Sequence, residues 1–457
     1  MPPPRSEEDA KNGSARSASA AKTPARKAWV QAHRRDEAAT NVPAAPKILA
    51  VPAADVATLS GPVAPDSPAA IARPATPLVI PGRSASRKNV RGVRPTPRPA
   101  ESPATSPVLV RQVRGGVVES RHRGSVVEVG IDGSIRRVIG DPETVVNLRS
   151  TVKLFGLAAL VEAGGVAEFD LSAAELAIMA GSHSGEDLHV RTLQGVFRRA
   201  GVTQQILGCG AAGAPLDALT AARLARDGEK PGPVRHMCSG QHASMVLLCR
   251  MNSWPFEEYW RADHPVQRLY AATVARAFDT TPEMLVLSTD ACGIPTFAFP
   301  LYEVARAFAM FADPGAIPAT DARAGLAPAL TRIRDAMIAS PEMVGGTRER
   351  LDSSVMKATP GRVVSKGGAE GLRGFALLPG AGRATASGVA LKIEDGGGYD
   401  RAVSAASVET LRQVGALDAA ALRALHRYHR PVVLDPRGES VAEAVAAFEL
   451  IPVGELL

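Results

Sequence analysis

The sequence predicts an α+β fold in which one antiparallel sheet, paired from strands near the two ends of the folded region, is covered by a helical middle. Three observations carry this reading. Strand-like runs flank an Asp-Gly turn between Gly124 and Ile139 and return at Val363 to Gly371 and Gly388 to Ile393. Helical periodicity fills the stretch between them. The first 107 of the 457 residues stand apart, with 18 of the 36 prolines and a single aromatic, Trp29.

That segment cannot bury enough apolar surface to offset the entropy of ordering it, so residues 1–107 are expected to be a disordered basic tail and residues 108–457 the folded domain. Charge divides the same way. The tail holds 16 Lys and Arg against 8 Asp and Glu, while the remainder holds 37 against 38. The basic pI therefore belongs to the tail. Its Arg83 to Arg98 stretch reads as a solvated linker, and the lack of aromatic platforms beyond Trp29 argues against nucleic-acid recognition. Glu7, Glu8 and Asp9 sit where a secretory leader would carry basic residues, and no run is apolar enough to span a bilayer. The expectation is a cytoplasmic protein without a membrane partner, its four cysteines, Cys209, Cys238, Cys249 and Cys292, reduced or serving as ligands.

Taken in order, Gly124 to Gly130 and Ser134 to Ile139 make a hairpin about Ile131-Asp132-Gly133. Leu154 to Ala163 is a buried helix stopped by Gly164 and Gly165. Ser172, three residues before Glu175, forms a capping box for the next helix. A polar knot, Gly181 to Glu186, separates it from a helix over Asp187 to Ala200 that halts at Gly201. A helix from Ala243 to Cys249 follows, then one opened by Asp263 as cap with Pro265 in its first turn. A strand-like entry, Met284 to Leu287, leads into the turn Ser288 to Gly293. Helices over Leu301 to Phe311 and Leu326 to Ile338 complete the middle. After the late strands come a turn at Gly396 to Gly398 and helices over Arg401 to Val414 and Ala419 to Arg427. Cys209 and Cys249 read as small buried hydrophobes, and His242 and His264 as packing or capping residues.

The chemistry gathers at Ser150-Thr151-Val152-Lys153, a Ser-x-x-Lys at the mouth of the first apolar helix. Three residues apart on a helix, the two side chains are expected to touch. A serine hydroxyl needs a base, and a lysine serves only when neutral, which burial or a neighbouring cation brings about. Alone the pattern also fits a capping serine with a snorkelling lysine. Downstream, Ser182-His183-Ser184 and Lys366-Gly367-Gly368 follow in the order of the active-site elements of class A β-lactamases and penicillin-binding proteins.

A closer resemblance covers residues 117 to about 450. Val118-Glu119-Ser120-Arg121-His122, Arg149-Ser150, Ser182-His183-Ser184-Gly185-Glu186, Cys238-Ser239-Gly240, Asp263-His264-Pro265-Val266-Gln267, Cys292-Gly293-Ile294-Pro295 and Lys366-Gly367-Gly368-Ala369-Glu370-Gly371 together resemble the rhizobial-type, thermolabile L-asparaginase family. The resemblance implies a serine-β-lactamase/glutaminase-like fold, a homodimer, and hydrolysis of L-asparagine to L-aspartate and ammonia. It implies Ser150 as nucleophile with Lys153 as base, Ser182 and Lys366 as a second Ser-Lys pair, Asp290 at the amino-acid end of the substrate and Arg149 in support. It further implies zinc on Cys238 and Cys292. The chain departs from the family at Gln241, where a lysine completes the metal site, at Gly156, where glutamine is common, between Ala211 and Pro215, where many members carry a histidine, and at Ala291, where glycine is usual. Because Gln241 is a poor zinc ligand beside thiolates, altered metal control is expected while the Ser and Lys positions stay intact. Two alternatives remain open at this stage: a catalytically impaired relative that binds amino acids or a partner, and a serine hydrolase acting on another amide.

Overall fold

The computed structural model describes residues 106–380, 382–396 and 401–453. All but the last two residues of the expected tail lie outside the described residues, as do Gly397 and Gly398 of the turn expected there. Strands β1 (Val108–Arg114), β2 (Val117–Gly130), β3 (Ile135–Ile139), β4 (Val145–Asn147), β5 (Val286–Thr289), β6 (Pro295–Pro300), β7 (Val363–Gly367), β8 (Leu372–Leu377), β9 (Ser387–Ile393), β10 (Val432–Leu434), β11 (Ser440–Ala446) and β12 (Ile451–Pro452) follow in chain order. The main sheet runs β10-β11-β1-β2-β9-β8-β7, with β3 also paired to β2 and β12 paired to β3, and its pairs are antiparallel. Early and late strands thus close one sheet, as the sequence predicts, in an α+β architecture.

The second half of β2 and strands β7, β8 and β9 are buried on both faces, so they lack a solvent-facing polar side. Along β2, Val126 belongs to one core and its neighbours Val127 and Val129 to another, and β7 divides the same way at Val363 and Val364. Successive side chains point to opposite faces, so each strand serves two cores. The larger core holds the central helices; the smaller holds Ala402, Ala405, Val408 and Leu411 of the helix Arg401–Gln413. The helix Leu301–Ala312 lies so close to β9 that a Cβ at Gly388 would overlap the backbone of Ala305 and Ala309, and only glycine fits there.

The Asp-Gly hairpin joins β2 to β3 with Gly133 at φ +81°. The capping box is formed: the Glu175 amide donates to Ser172 Oγ at 3.3 Å and the Ser172 amide to Glu175 Oε2 at 2.9 Å. The helix Asp187–Ala200 ends on left-handed Gly201 as expected. Cys209 and Cys249 are buried, and burial pushes each thiol up to about 12.

Three local expectations are corrected. Asp263 does not cap the helix Pro265–Ala277; His264 does, its Nδ1 accepting from the Val266 amide at 3.2 Å, because Pro265 at the first position shifts the cap by one residue. The helix expected at Ala243 begins four residues earlier, at Ser239. The run from Met284 begins as a 3-10 turn, Pro282–Met284, and becomes strand only at Val286. Of a second sheet, β4-β6-β5, the sequence reading caught only the start of β5. Its central strand is bounded by Pro295 and Pro300, and β4 has only three residues, too few to show alternation.

Candidate active site

The small sheet fixes the turn that carries Ser150. The Leu148 amide donates to Phe297 O at 2.8 Å and the Arg149 amide to Thr296 Oγ1 at 3.0 Å, both on β6. Arg149 is held at φ +47°, a left-handed backbone that disfavours a side-chain-bearing residue. Its guanidinium is tied down as well, to Asp290 Oδ1 at 3.1 Å from Nε and 3.0 Å from the terminal nitrogen. Ser150 follows in a short 3-10 turn, buried but not sealed at 8% exposure. Among the described residues its hydroxyl makes no hydrogen bond.

Lys153 opens the buried helix that continues this turn, and its amine does not reach Ser150. It donates instead to Gly181 O at 3.1 Å, Ser182 Oγ at 3.0 Å and Cys238 Sγ at 3.2 Å. Three acceptors match the three donors of an ammonium group, which is why the amine settles there rather than on the neighbouring serine. Ser182 also accepts from Lys366 Nζ at 2.9 Å, and Lys366 donates to Gly367 O at 2.7 Å. One hydroxyl thus stands between two wholly buried lysines drawn from opposite ends of the domain. When Lys366 is neutral, its lone pair can accept the Ser182 proton while Lys153 remains the donor on the other side. Burial pulls Lys366 down to about 7, the Lys153 and Arg373 cations adding to the shift and the Asp352 carboxylate opposing it.

Ser182 is held at both its peptide groups: its amide donates to Val344 O at 2.7 Å, and Arg350 donates to its carbonyl at 2.8 Å. Behind it, His183 Nε2 lies 2.8 Å from Ser239 Oγ, which itself donates to Val234 O, and His183 Nδ1 accepts from the Gly185 amide at 3.1 Å. These partners place the proton on Nε2 and the imidazole is neutral; burial holds it well below its ordinary value. Ser184 turns away to Glu186 at 2.7 Å. The knot between the helices is therefore a scaffold that presents Ser182 alone.

The zinc implied by the family resemblance meets an unsuitable donor set. Cys238 and Cys292 are in mutual contact: the hydrogen bond from Cys292, with the nearby Lys153 cation, holds the Cys238 thiol well below its usual range, while Cys292 is raised. His236 also hydrogen-bonds to the Cys238 thiol, but among the described residues no three His, Cys, Asp or Glu are grouped so as to hold a metal ion. Gln241 is committed elsewhere, its amide donating to Tyr270 Oη at 2.8 Å in the buried core. Tyr270 in turn occupies the space left by Gly156, where a Cβ would overlap its ring. The two departures from the family pattern, Gly156 and Gln241, thus meet on one tyrosine, and the residues present do not make a three-ligand zinc site. Gly156→Ala is expected to displace Tyr270, break its bond to Gln241 and destabilise the domain by about 1–3 kcal/mol, measured by denaturant unfolding.

The sequence reading missed Asp352, Arg373, Arg350, Val344 and Tyr270. Each acts through a tertiary contact, and the only local signal is a charged residue, Asp352, at the start of an otherwise well-packed helix, Leu351–Ala358.

With this geometry in view, comparison with known proteins is direct. A family model described as L-asparaginase II matches residues 110–446. The chain belongs to the L-asparaginase II family. The match spans every element that carries the cluster, from the Ser150 turn to β7, and makes the protein an amidohydrolase. No curated protein matches the sequence. Among solved structures, a probable glutaminase from Bacillus subtilis complexed with 6-diazo-5-oxo-L-norleucine is 12% identical, covers 66% of this chain and 87% of its own, and has a TM-score of 0.32. A Bacillus glutaminase is likewise 12% identical, with 64% and 91% covered and a TM-score of 0.33. Among the described residues of this L-asparaginase II family member, no helix is long and apolar enough to cross a membrane.

Proposed function

We propose that this amidohydrolase converts L-asparagine to L-aspartate and ammonia through an ester on Ser150. The observation that carries the reading is the hydroxyl of Ser182 bracketed by the amines of Lys153 and Lys366 at 3.0 and 2.9 Å. Out of water and beside the Lys153 charge, the Lys366 amine is pulled down to about 7, so its neutral form is populated near neutral pH. In this mechanism Ser182 takes a proton from Lys153 on one side while releasing its own to neutral Lys366 on the other. Lys153, whose amine must first leave Gly181 and Cys238 to reach Ser150, then accepts its proton as the Ser150 oxygen adds to the side-chain amide carbon. Collapse of the tetrahedral species breaks the C–N bond, and the amine pair returns a proton to the leaving ammonia. Water, deprotonated by the same amines, hydrolyses the ester and restores Ser150.

Arg149 and Asp290 form the rim of the site in this reading. Their pair leaves Asp290 partly exposed beside the Ser150 turn, where its carboxylate faces the ammonium of an amino-acid substrate. A homodimer belongs to the same proposal. The test is ammonia release from L-asparagine, L-glutamine and a β-lactam by the purified protein. Preference for L-asparagine supports the reading; release from another amide transfers the mechanism to that substrate; silence with all three returns the chain to a binding role. We further propose that the chemistry runs without zinc. The expected result is less than one zinc per chain by elemental analysis and an activity that survives dialysis against a chelator, whereas stoichiometric zinc with chelator-sensitive activity is the contrary result.

A further inference from the structure

Behind Lys366 lies a second buried charge cluster to which the mechanism above assigns no part. Strand β7 ends the main sheet, so its outer edge offers amides with no strand to receive them. The helix Leu351–Ala358 covers that edge and places Asp352 against it. Its Oδ1 accepts from Ser365 Oγ at 2.7 Å and its Oδ2 from the Gly367 amide at 3.0 Å. One carboxylate therefore clamps the residues on both sides of Lys366. Arg373 on β8, directly opposite Gly367 in the register, donates both to Asp352 Oδ1 and, at 3.1 Å, to Ser365 Oγ.

Asp352, Ser365, Lys366 and Arg373 are all buried, with Asp352 at 5% and Arg373 at 9% exposure. A carboxylate out of water is costly unless it is paired and hydrogen-bonded, and here both conditions are met. The charges that face Lys366 are Asp352 and Arg350 from the α-helical cover and the turn before it, Arg373 from β8 and Lys153 from across Ser182. Asp352 is the one anion among them. Removing it leaves the amine among three cations; removing Arg373 leaves it with one cation fewer.

We propose that Asp352, steadied by Arg373, is a positioning residue that aims Lys366 at Ser182 and sets the pH at which this amine can take up a proton. The inference deepens the reading of Lys366 as a proton acceptor and depends on it for its catalytic consequence. The amine itself reports independently of turnover. In the full-length chain with lysine labelled at Cε with carbon-13, the Lys366 resonance is assigned by its loss in Lys366→Arg and followed against pH by NMR, alongside ammonia release over the same range.

The expected result is a Lys366 midpoint near pH 7 that falls by about one unit or more in Asp352→Asn, because the neutral amine is favoured once the anion is gone. The low-pH limb of ammonia release moves with it, and Asp352→Glu, which keeps the charge, brings both back. In Arg373→Gln the midpoint moves the opposite way. A generic loss of stability gives no such pair of opposite shifts. An unmoved midpoint in folded Asp352→Asn overturns the proposal. If that variant does not fold, Arg373→Gln decides alone, and a midpoint that stays or falls in it overturns the proposal equally. If the unmutated protein hydrolyses no amide, the catalytic reading falls, while the amine titration still decides the role of Asp352.

Discussion

Ser150→Ala is expected to lower amide hydrolysis by about a thousandfold or more while leaving the fold intact, because removing the nucleophile of a serine hydrolase leaves only binding and electrostatic help. The substitution removes one oxygen from a side chain that makes no hydrogen bond among the described residues, so nothing structural is lost with it. The backbone is already committed: Arg149 is left-handed at φ +47° and is held by Thr296 and Asp290 whether or not the hydroxyl is present. Thermal unfolding unchanged from the unmutated protein, together with loss of ammonia release, distinguishes a missing nucleophile from a collapsed site. Retained hydrolysis in Ser150→Ala excludes an ester on Ser150 and points to direct attack by water or to another nucleophile.

Lys366→Arg is expected to lower the rate by about a hundredfold or more at every pH, since general acid–base help of this kind contributes 10²–10⁴-fold and a guanidinium stays protonated throughout. The sign of the pH dependence follows from the same group. Burial pulls the Lys366 amine down to about 7, so the neutral, proton-accepting form grows as pH rises through that value. The unmutated enzyme is expected to gain rate from pH 6 to about pH 8. In Lys366→Arg that rise disappears rather than shifting. A pH profile that keeps its low-pH limb in the variant assigns the titration to a group other than Lys366.

The residues to which the proposed mechanism assigns bond-making could be singled out because each sits in a short local pattern: Ser150 and Lys153 in Ser-x-x-Lys, Ser182 in the polar knot, Lys366 before a glycine pair. Local patterns also gave the Ser172–Glu175 capping box, the Asp-Gly hairpin and the Gly201 stop, where a few neighbouring residues satisfy the backbone among themselves. What lay beyond reach was decided across the fold. Ser150 and Lys153 are three residues apart, yet the amine is drawn to acceptors from Gly181, Ser182 and Cys238, whose approach no local spacing encodes. Asp352 and Arg373 are ordinary charged residues until the sheet edge and its covering helix bury them together. The β4-β6-β5 sheet that anchors the Ser150 turn brings residues near 146 and 298 together through strands too short or too proline-bounded to be read singly. Tyr270 shows the same limit, since its link to both Gly156 and Gln241 exists only in the packed core.

The central claim is that the substrate's side-chain acyl group passes through Ser150. The most direct measurement is intact-protein mass spectrometry of acid-quenched turnover with L-asparagine, followed by peptide mapping. The account predicts a transient β-aspartyl adduct on the peptide that contains Ser150, absent in Ser150→Ala and accumulating in Lys366→Arg if deacylation is slowed more than acylation. Turnover without any adduct, or an adduct on another residue such as Ser182, contradicts it.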